Sequence, residues 1–270
     1  MTGIHPAAAP SPPPSEAMLP SLLGVFAHPD DESLLAGGVL AQHAAGGART
    51  AVVTATWARD STRATELSAA LAVLGAEAPR MLGYRDARNE KSAPEQPRWC
   101  DIDLDEAVAQ VVSHIRQFRP DVVVTHDVLG QLTGHPDHRR THQVALLAVE
   151  AAGVPQLYPG TGEAWQAGAL YAATHPRSGI GGLGPLLQGV GKTLLSVPDS
   201  YVTAVVDVTT WLEQKWNAIR SHRSQAESER PLPGLLSRLD AESRARILST
   251  EYFTRLRVAP EGPGLHDLTR

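Results

Sequence analysis

Residues 22–32 read LLGVFAHPDDE. The first six, Leu22–Ala27, form a short apolar run with turn signals directly after it, the pattern of a buried strand. The next residues are dense in chemistry: His28, Asp30, Asp31 and Glu32 fall within five positions, with Pro29 stiffening the turn. Ser33–Ala45 then has helical spacing and stops at Gly46-Gly47. A buried strand, a loop of ligand-type side chains and a helix make the unit from which open α/β sheets are built, and ligands of such sheets bind outside the carboxyl ends of the strands.

The same alternation continues downstream. Arg49–Thr56 reads as a strand, Thr62–Leu74 as an amphipathic helix ended by Gly75, and Arg80–Leu82 as a short strand. The polar stretch Asp86–Pro97 reads as a loop, Leu104–Phe118 as a helix ended before Pro120, and Asp121–Thr125 as another buried strand. A helix is expected from about Pro136 to Ala152. Continuous apolar strands alternating with helices predict a parallel sheet covered on both faces. The expected class is α/β: a doubly wound, mostly parallel, Rossmann-like sheet with a C-terminal elaboration. In that elaboration Gly168–Thr174 and Tyr201–Val208 read as strands, and Thr210–Arg223 and Ala241–Ser249 as helices. The Gly-rich stretch Ile180–Gly191 reads as a mobile loop over a site. The expected organisation is a disordered, Pro/Ala/Ser-rich leader over residues 1–20 and a single domain over residues 21–270.

Composition narrows the function classes. The chain has 270 residues, a formal net charge of −5, 42% hydrophobic and 5% aromatic residues. Mild acidity disfavours a general grip on nucleic acid, which needs a basic face. No run approaches the ~20 apolar residues of a membrane span, and the N-terminus is a poor signal peptide, so a cytoplasmic location and a small-molecule partner are expected. Neither a GxGxxG after the first strand nor a GxxxxGK[ST] is present, which sets nucleotide chemistry aside. With one cysteine, Cys100, no intramolecular disulfide or thiolate zinc cluster can form. Cys100 has no evident base nearby and reads as inert. Any metal must be held by His, Asp or Glu.

A second dense motif comes after the strand Asp121–Thr125: Gly134-His135-Pro136-Asp137-His138. Alone, the acids of the first motif could simply favour a helix dipole, and a lone His is more often an ordinary residue. Two His-Pro-Asp motifs, each at the carboxyl end of an expected strand, are far harder to obtain by chance. Together they supply His28, Asp31 and a downstream histidine, three protein ligands with one position open, as in catalytic zinc sites. A competing set pairs His138 with His142 on one helix face; zincins use such a pair with Glu after the first His, and here Arg139 stands there.

Ala27–Glu32 (AHPDDE) with Gly134–His138 (GHPDH) resembles the LmbE/PIG-L-like superfamily of zinc-dependent N-deacetylases. Weaker supporting pieces are Arg63–Glu66 (RATE), Leu82–Asp86 (LGYRD) and His222–Gln225 (HRSQ). The resemblance, which covers roughly residues 22–225, implies His28, Asp31 and His138 as metal ligands. It further implies a single zinc per chain, or another divalent ion in its place, and Asp30 as general base. Zinc lowers the pKa of its bound water, and a neighbouring carboxylate can take that proton and return it to the leaving amine. His135, if protonated, would stabilise the oxyanion, with Asp137 orienting it or holding it charged. Some members carry Tyr two residues before this His, where this chain has Thr133, so an aromatic hydroxyl is not expected there.

The implied reaction removes acetyl from an N-acetylglucosamine-containing conjugate. The runners-up are an amidase of the same scaffold cleaving a larger, cysteinyl–glucosamine type amide, and a non-catalytic metal-dependent sugar binder. Arg63 and Asp86 are substrate-side candidates; the plainer alternatives are an Arg63–Glu66 ion pair and a turn role for Asp86. Glu32, His222 and Gln225 read as structural, His126 as structural or at the substrate's edge. His5, His43, His114, His175 and His266 have no partner motif.

Overall fold

The computed structural model describes residues 18–258. Most of the expected leader, and the isolated His5 and His266, lie outside these residues. Seven strands form one sheet: β1 (Leu22–Phe26), β2 (Thr50–Thr56), β3 (Arg80–Tyr84), β4 (Val122–Thr125), β5 (Ala169–Ala173), β6 (Ala204–Asp207) and β7 (Thr250–Val258). Their order is β3-β2-β1-β4-β5-β7-β6. β1 to β5 run parallel, and β7 runs antiparallel to both β5 and β6.

The helices are α1 (Asp31–Ala45), α2 (Thr62–Leu74), α3 (Leu104–Phe118), α4 (Pro136–Ala152), α5 (Leu183–Gly189), α6 (Leu212–Ser221), α7 (Arg223–Ala226), α8 (Leu232–Ser237) and α9 (Ala241–Leu248). The alternation of side chains along β1 decides both faces. Leu22 and Phe26 join one core with Val39 and Leu40 of α1, Leu67 and Leu71 of α2 and Ala218 of α6. Leu23 and Val25 join the other with Val111 and Ile115 of α3 and Val144 and Ala148 of α4. The sheet is therefore doubly wound, as expected.

β1 carries the topological switch. The chain leaves it toward β2 and β3 on one side, then returns to β4 and β5 on the other. The carboxyl ends of β1 and β4 are adjacent, paired through Val25 and Thr125. A crevice opens at such a point because the two connections diverge, and both dense motifs sit in it.

The C-terminal elaboration differs from its sequence reading in four places. Ile180–Gly191 is not all loop: it contains α5, because Leu183 and Leu187 lie one turn apart and are buried in a satellite cluster with Leu132 and Leu235. The segment Thr210–Arg223 is broken at His222, which has non-helical ψ 64° between α6 and α7. α8 was not expected, being short and begun by Pro231. β7 was not expected either, although its Thr, Tyr, Phe and Val content is the compositional signal of a strand. A buried ion pair anchors β7: Glu251 meets Lys215 Nζ at 2.8 Å and accepts Gly38 N–H at 2.7 Å and Val39 N–H at 3.1 Å. Gly38 also lets α1 pack against Val208, just after β6; a Cβ there would lie 2.4 Å from the Val208 side chain. No helix among the described residues is long and apolar enough to cross a membrane.

Candidate active site

The turn after β1 and the start of α4 bring three donor side chains together. His28 Nδ1 lies 3.0 Å from His138 Nε2, Asp31 Oδ2 lies 3.3 Å from His28 Nδ1, and Asp31 Oδ1 lies 3.4 Å from His138 Nε2. All three residues are buried. Two imidazole nitrogens and a carboxylate this close share a proton or a cation. A tetrahedral site with ~2.1 Å bonds has edges of about 3.4 Å, so the spacing suits a divalent metal.

The groups behind these donors fit the same demand. His28 Nε2 lies 3.2 Å from Asp137 Oδ2 and 3.5 Å from Asp86 Oδ2. A proton on Nε2 leaves the Nδ1 lone pair facing Asp31 and His138, the arrangement in which a carboxylate orients a metal-binding His. Burial opposes charge on His28, but its bonds to Asp137 and Asp31 and their negative charges, with that of Asp86, lift it to about 10. Burial likewise opposes charge on Asp31, yet His138 and His126 hold it well below the usual carboxylate range. Burial drives His138 well below its ordinary value, keeping the ring neutral as a ligand must be. The carboxylates of the cluster thus favour positive charge on His28, while His138 offers a neutral imidazole face. Donor groups that could hold an ion overlap here: His28, His135 and His138; His28, Asp86, His135 and Asp137; and Asp31, His126 and His138.

Asp30 sits beside the trio in a strained backbone conformation, with φ 119° and ψ −24°. A non-glycine residue there costs of order 1–3 kcal/mol and must be held by its surroundings. Glu32 Oε2 accepts Asp30 N–H at 3.0 Å, and Arg63 Nη2 meets Asp30 Oδ2 at 3.0 Å while also donating to Pro29 O. Glu32 is in turn held by His222 Nε2 at 2.8 Å and by Ser33 Oγ at 2.5 Å, with Glu32 and His222 fully buried. Burial, aided by neighbouring Asp31, raises the Asp30 carboxyl to about 6 despite Arg63, His222 and His28.

His135 caps α4. Its Nδ1 accepts Asp137 N–H at 3.2 Å, which assigns the ring proton to Nε2, 3.7 Å from Asp86 Oδ1. Burial and the positive His28 push His135 down to about 3, with Asp137 and Asp31 only partly offsetting them. The ring is therefore neutral, and Asp137 turns its carboxylate to His28 and Ala87 N–H, at 2.8 Å from the latter, more closely than to His135 at 3.7 Å. Asp86 Oδ1 also accepts Arg88 N–H at 2.7 Å, so the residue both closes a turn and faces the site.

Every sequence-selected residue converges here: His28, Asp30, Asp31, Arg63, Asp86, His135 and His138 all line one cavity of about 690 Å³, and Asp137 lies behind His28. Arg63 bonds Asp30 rather than Glu66, whose carboxylate instead accepts from Ser224 N–H and Oγ at 2.7 Å each. His142 Nδ1 is occupied by His126 O at 2.8 Å, away from the trio. Cys100 is a free thiol pushed up to about 11 by burial and by Asp137 and Asp101.

Four groups exceed the reading from sequence. His126 stacks on His138 at 4.0 Å between centroids and lies 3.3 Å from Asp31 Oδ2; its place directly after a strand was the signal. Lys192 and Arg230 join the cavity wall from the elaboration, and Arg88 from the loop after β3; no local pattern marks them.

Comparison with known proteins agrees with this geometry. The PIG-L profile, described as GlcNAc-PI de-N-acetylase, matches residues 23–149. The 1D-myo-inositol 2-acetamido-2-deoxy-alpha-D-glucopyranoside deacetylase of Geodermatophilus obscurus is 36% identical over 89% of this chain and 94% of its own. The enzyme of the same name from Rhodococcus jostii strain RHA1 is 37% identical over 88% and 92%. The N,N'-diacetylchitobiose deacetylase of Pyrococcus horikoshii shares the fold at TM-score 0.59 and 20% identity, covering 90% of this chain and 84% of that one. With that likeness over nearly its whole length and both dense motifs assembled at one switch point, the chain belongs to the PIG-L family of N-deacetylases.

Proposed function

We propose that this protein is a zinc-dependent hydrolase that releases acetate from an N-acetylglucosamine conjugate. The carrying observation is the trio His28 Nδ1, Asp31 and His138 Nε2 at mutual spacings of 3.0–3.4 Å, with Asp30 beside it. These three residues would hold the metal, which when bound supplies Lewis acidity and makes water a nucleophile near neutral pH.

The chain's own residues do the rest. The Asp30 carboxylate takes a proton from the attacking water. Hydroxide oxygen bonds to the acetamide carbon, the C–N bond breaks, and the same proton goes to the departing amine, giving acetate and the free amino sugar. His135 donates from Nε2–H to the developing oxyanion as a neutral ring. Asp137 fixes the His28 tautomer. Arg63 and Asp86 at the cavity wall offer a donor and an acceptor to sugar hydroxyls.

A larger acyl group is the second reading, favoured by one observation: Leu34, Leu132, Leu183, Leu187, Leu232 and Ile247 give the cavity an aliphatic wall. Metal analysis followed by mass-spectrometric screening of N-acylated glucosamine conjugates tests both readings. Bound zinc, acetate release and loss of activity with chelator are expected. Protein that binds no divalent metal, or activity indifferent to chelator, would overturn the proposal.

A further inference from the structure

Five non-glycine residues among the described ones have positive φ: Asp30, Trp57, Arg119, Gln131 and Tyr158. Asp30 and Trp57 form a pair. They follow the neighbouring strands β1 and β2, and one guanidinium, that of Arg63, lies between them. Its Nη2 meets Asp30 Oδ2 at 3.0 Å and donates to Pro29 O. Its central carbon lies over the Trp57 ring, 4.7 Å from the centroid.

The backbone holds Trp57 in place. At φ 76° a side chain this bulky is an outlier, and such a conformation persists only where the surroundings over-determine it. Three successive N–H groups do so, each bonded to a different segment: Thr56 to Ala27 O at 2.9 Å, Trp57 to Tyr84 O at 2.8 Å and Ala58 to Ser92 O at 2.9 Å. Thr56 Oγ1 adds a second bond to Ala27 O at 2.8 Å, directly before His28. The indole is not placed there for a hydrogen bond, since Trp57 Nε1 is buried without a partner among the described residues. Arg63 is buried too, and its Nε likewise has no partner. The guanidinium plane is therefore fixed by the Nη2 contacts at one edge and by the indole across its face. Arginine stacks on aromatic faces by cation–π attraction, which strengthens where water is excluded.

We propose that Trp57 is a positioning residue for the hydrolysis: its indole clamps Arg63, and Arg63 holds the Asp30 carboxylate toward the attacking water. The inference rests on the deacetylase reading for the role of Asp30. Trp57 does not line the cavity, so it acts through Arg63 and not on the substrate.

The zinc-loaded full chain, Trp57→Leu, Trp57→Phe, Arg63→Gln and the double variant Trp57→Leu/Arg63→Gln are compared for acetate release from the methyl glycoside of N-acetylglucosamine. Trp57→Leu lowers kcat about tenfold, as misplacement of a reacting group does, with KM changed less than about twofold and bound zinc unchanged. Trp57→Phe keeps a ring face and recovers most of the loss. In the Arg63→Gln background Trp57→Leu lowers kcat no further, because its effect runs through the guanidinium. A ring that only packs would lower the melting temperature without this pattern. The clamp is also read directly by NMR of isotope-labelled arginine. The Arg63 Nε–H signal, identified by its loss in Arg63→Gln, is displaced by the ring current of the indole and returns toward the ordinary arginine position in Trp57→Leu. An unchanged kcat in Trp57→Leu, losses that multiply in the double variant, or an Arg63 signal that Trp57→Leu does not move each overturn the clamp and leave the deacetylase reading standing. No acetate from the wild-type chain with this glycoside or any conjugate of the screen overturns that reading, and the role given to Trp57 with it.

Discussion

The floor and the roof of the cavity are built in opposite ways. The floor is local: His28, Asp30 and Asp31 lie within four consecutive residues, and His135, Asp137 and His138 within four more. Each group is set by a strand end and the first turn of a helix, and neighbouring strands bring the two together. The roof is long-range. Lys192, Arg230 and the leucines of α5 and α8 come from scattered segments held by a small satellite cluster rather than by the sheet. The difference teaches that motif residues are placed by neighbouring strands and helix starts, whereas the facing wall is placed by packing between segments far apart in the chain.

The sharpest way to break this division is at the floor. Asp30→Ala is expected to lower kcat by about 10²–10⁴-fold, the usual worth of a positioned general base, while bound metal measured by elemental analysis stays unchanged. Loss of the metal together with activity would make Asp30 a ligand instead. Asp137→Asn leaves volume intact but removes the carboxylate from His28 Nε2. Metal affinity, measured by competition with a chelating dye, is expected to fall about 10–100-fold; an unchanged affinity would mean that Asp137 does not orient His28.

His222 tests where floor and roof meet, since it comes from the elaboration yet holds Glu32, which holds Asp30. His222→Leu is expected to reduce kcat by about tenfold through misplacement of the base, with little change in KM. His222→Gln, which keeps a donor toward Glu32, should recover much of it; a fall in melting temperature alone, with kcat intact, would leave His222 a packing residue. The smallest effect lies away from both. His43 is buried at the amino end of the sheet, with Nδ1 on Pro20 O at 2.7 Å, and burial lowers it to about 4. Its unfolded value is about 6.5, so its contribution to stability is complete above that pH and is lost as pH falls toward 4, a loss of about 2 kcal/mol by pH 5. Denaturant melts across pH 5–7 should show this slope flattened in His43→Gln, separating acid unfolding from acid loss of catalysis.

Most of the floor was legible because its signals are local. Buried strands β1 and β4 are continuous apolar runs, α2 carries a Ser61 cap and a Gly75 stop, and paired His-Pro-Asp turns are rare. The partners of those residues were less legible. Arg63 and Glu66 are one helical turn apart, yet each found a partner in another segment, Asp30 and Ser224. Asp137 faces His28 rather than His135, because the β1–β4 pairing brings a residue 109 positions away closer than a neighbour's ring. β7 was overlooked because Glu251, Thr254, Arg255 and Arg257 interrupt its apolar residues, and α5 because glycines surround its two buried leucines.

The sequence by itself determined the doubly wound class, the two dense motifs at strand ends and the kind of chemistry, since these arise from strand and helix periodicities and from which side chains follow each strand. Only the tertiary structure decided the charge state of His135, the dependence of Asp30 on Glu32 and His222, and the meeting of Arg88, Lys192 and Arg230 at one cavity wall. Those depend on burial and on the distances between groups far apart in the chain, and electrostatic energies inside a protein are set by such distances and by the exclusion of water.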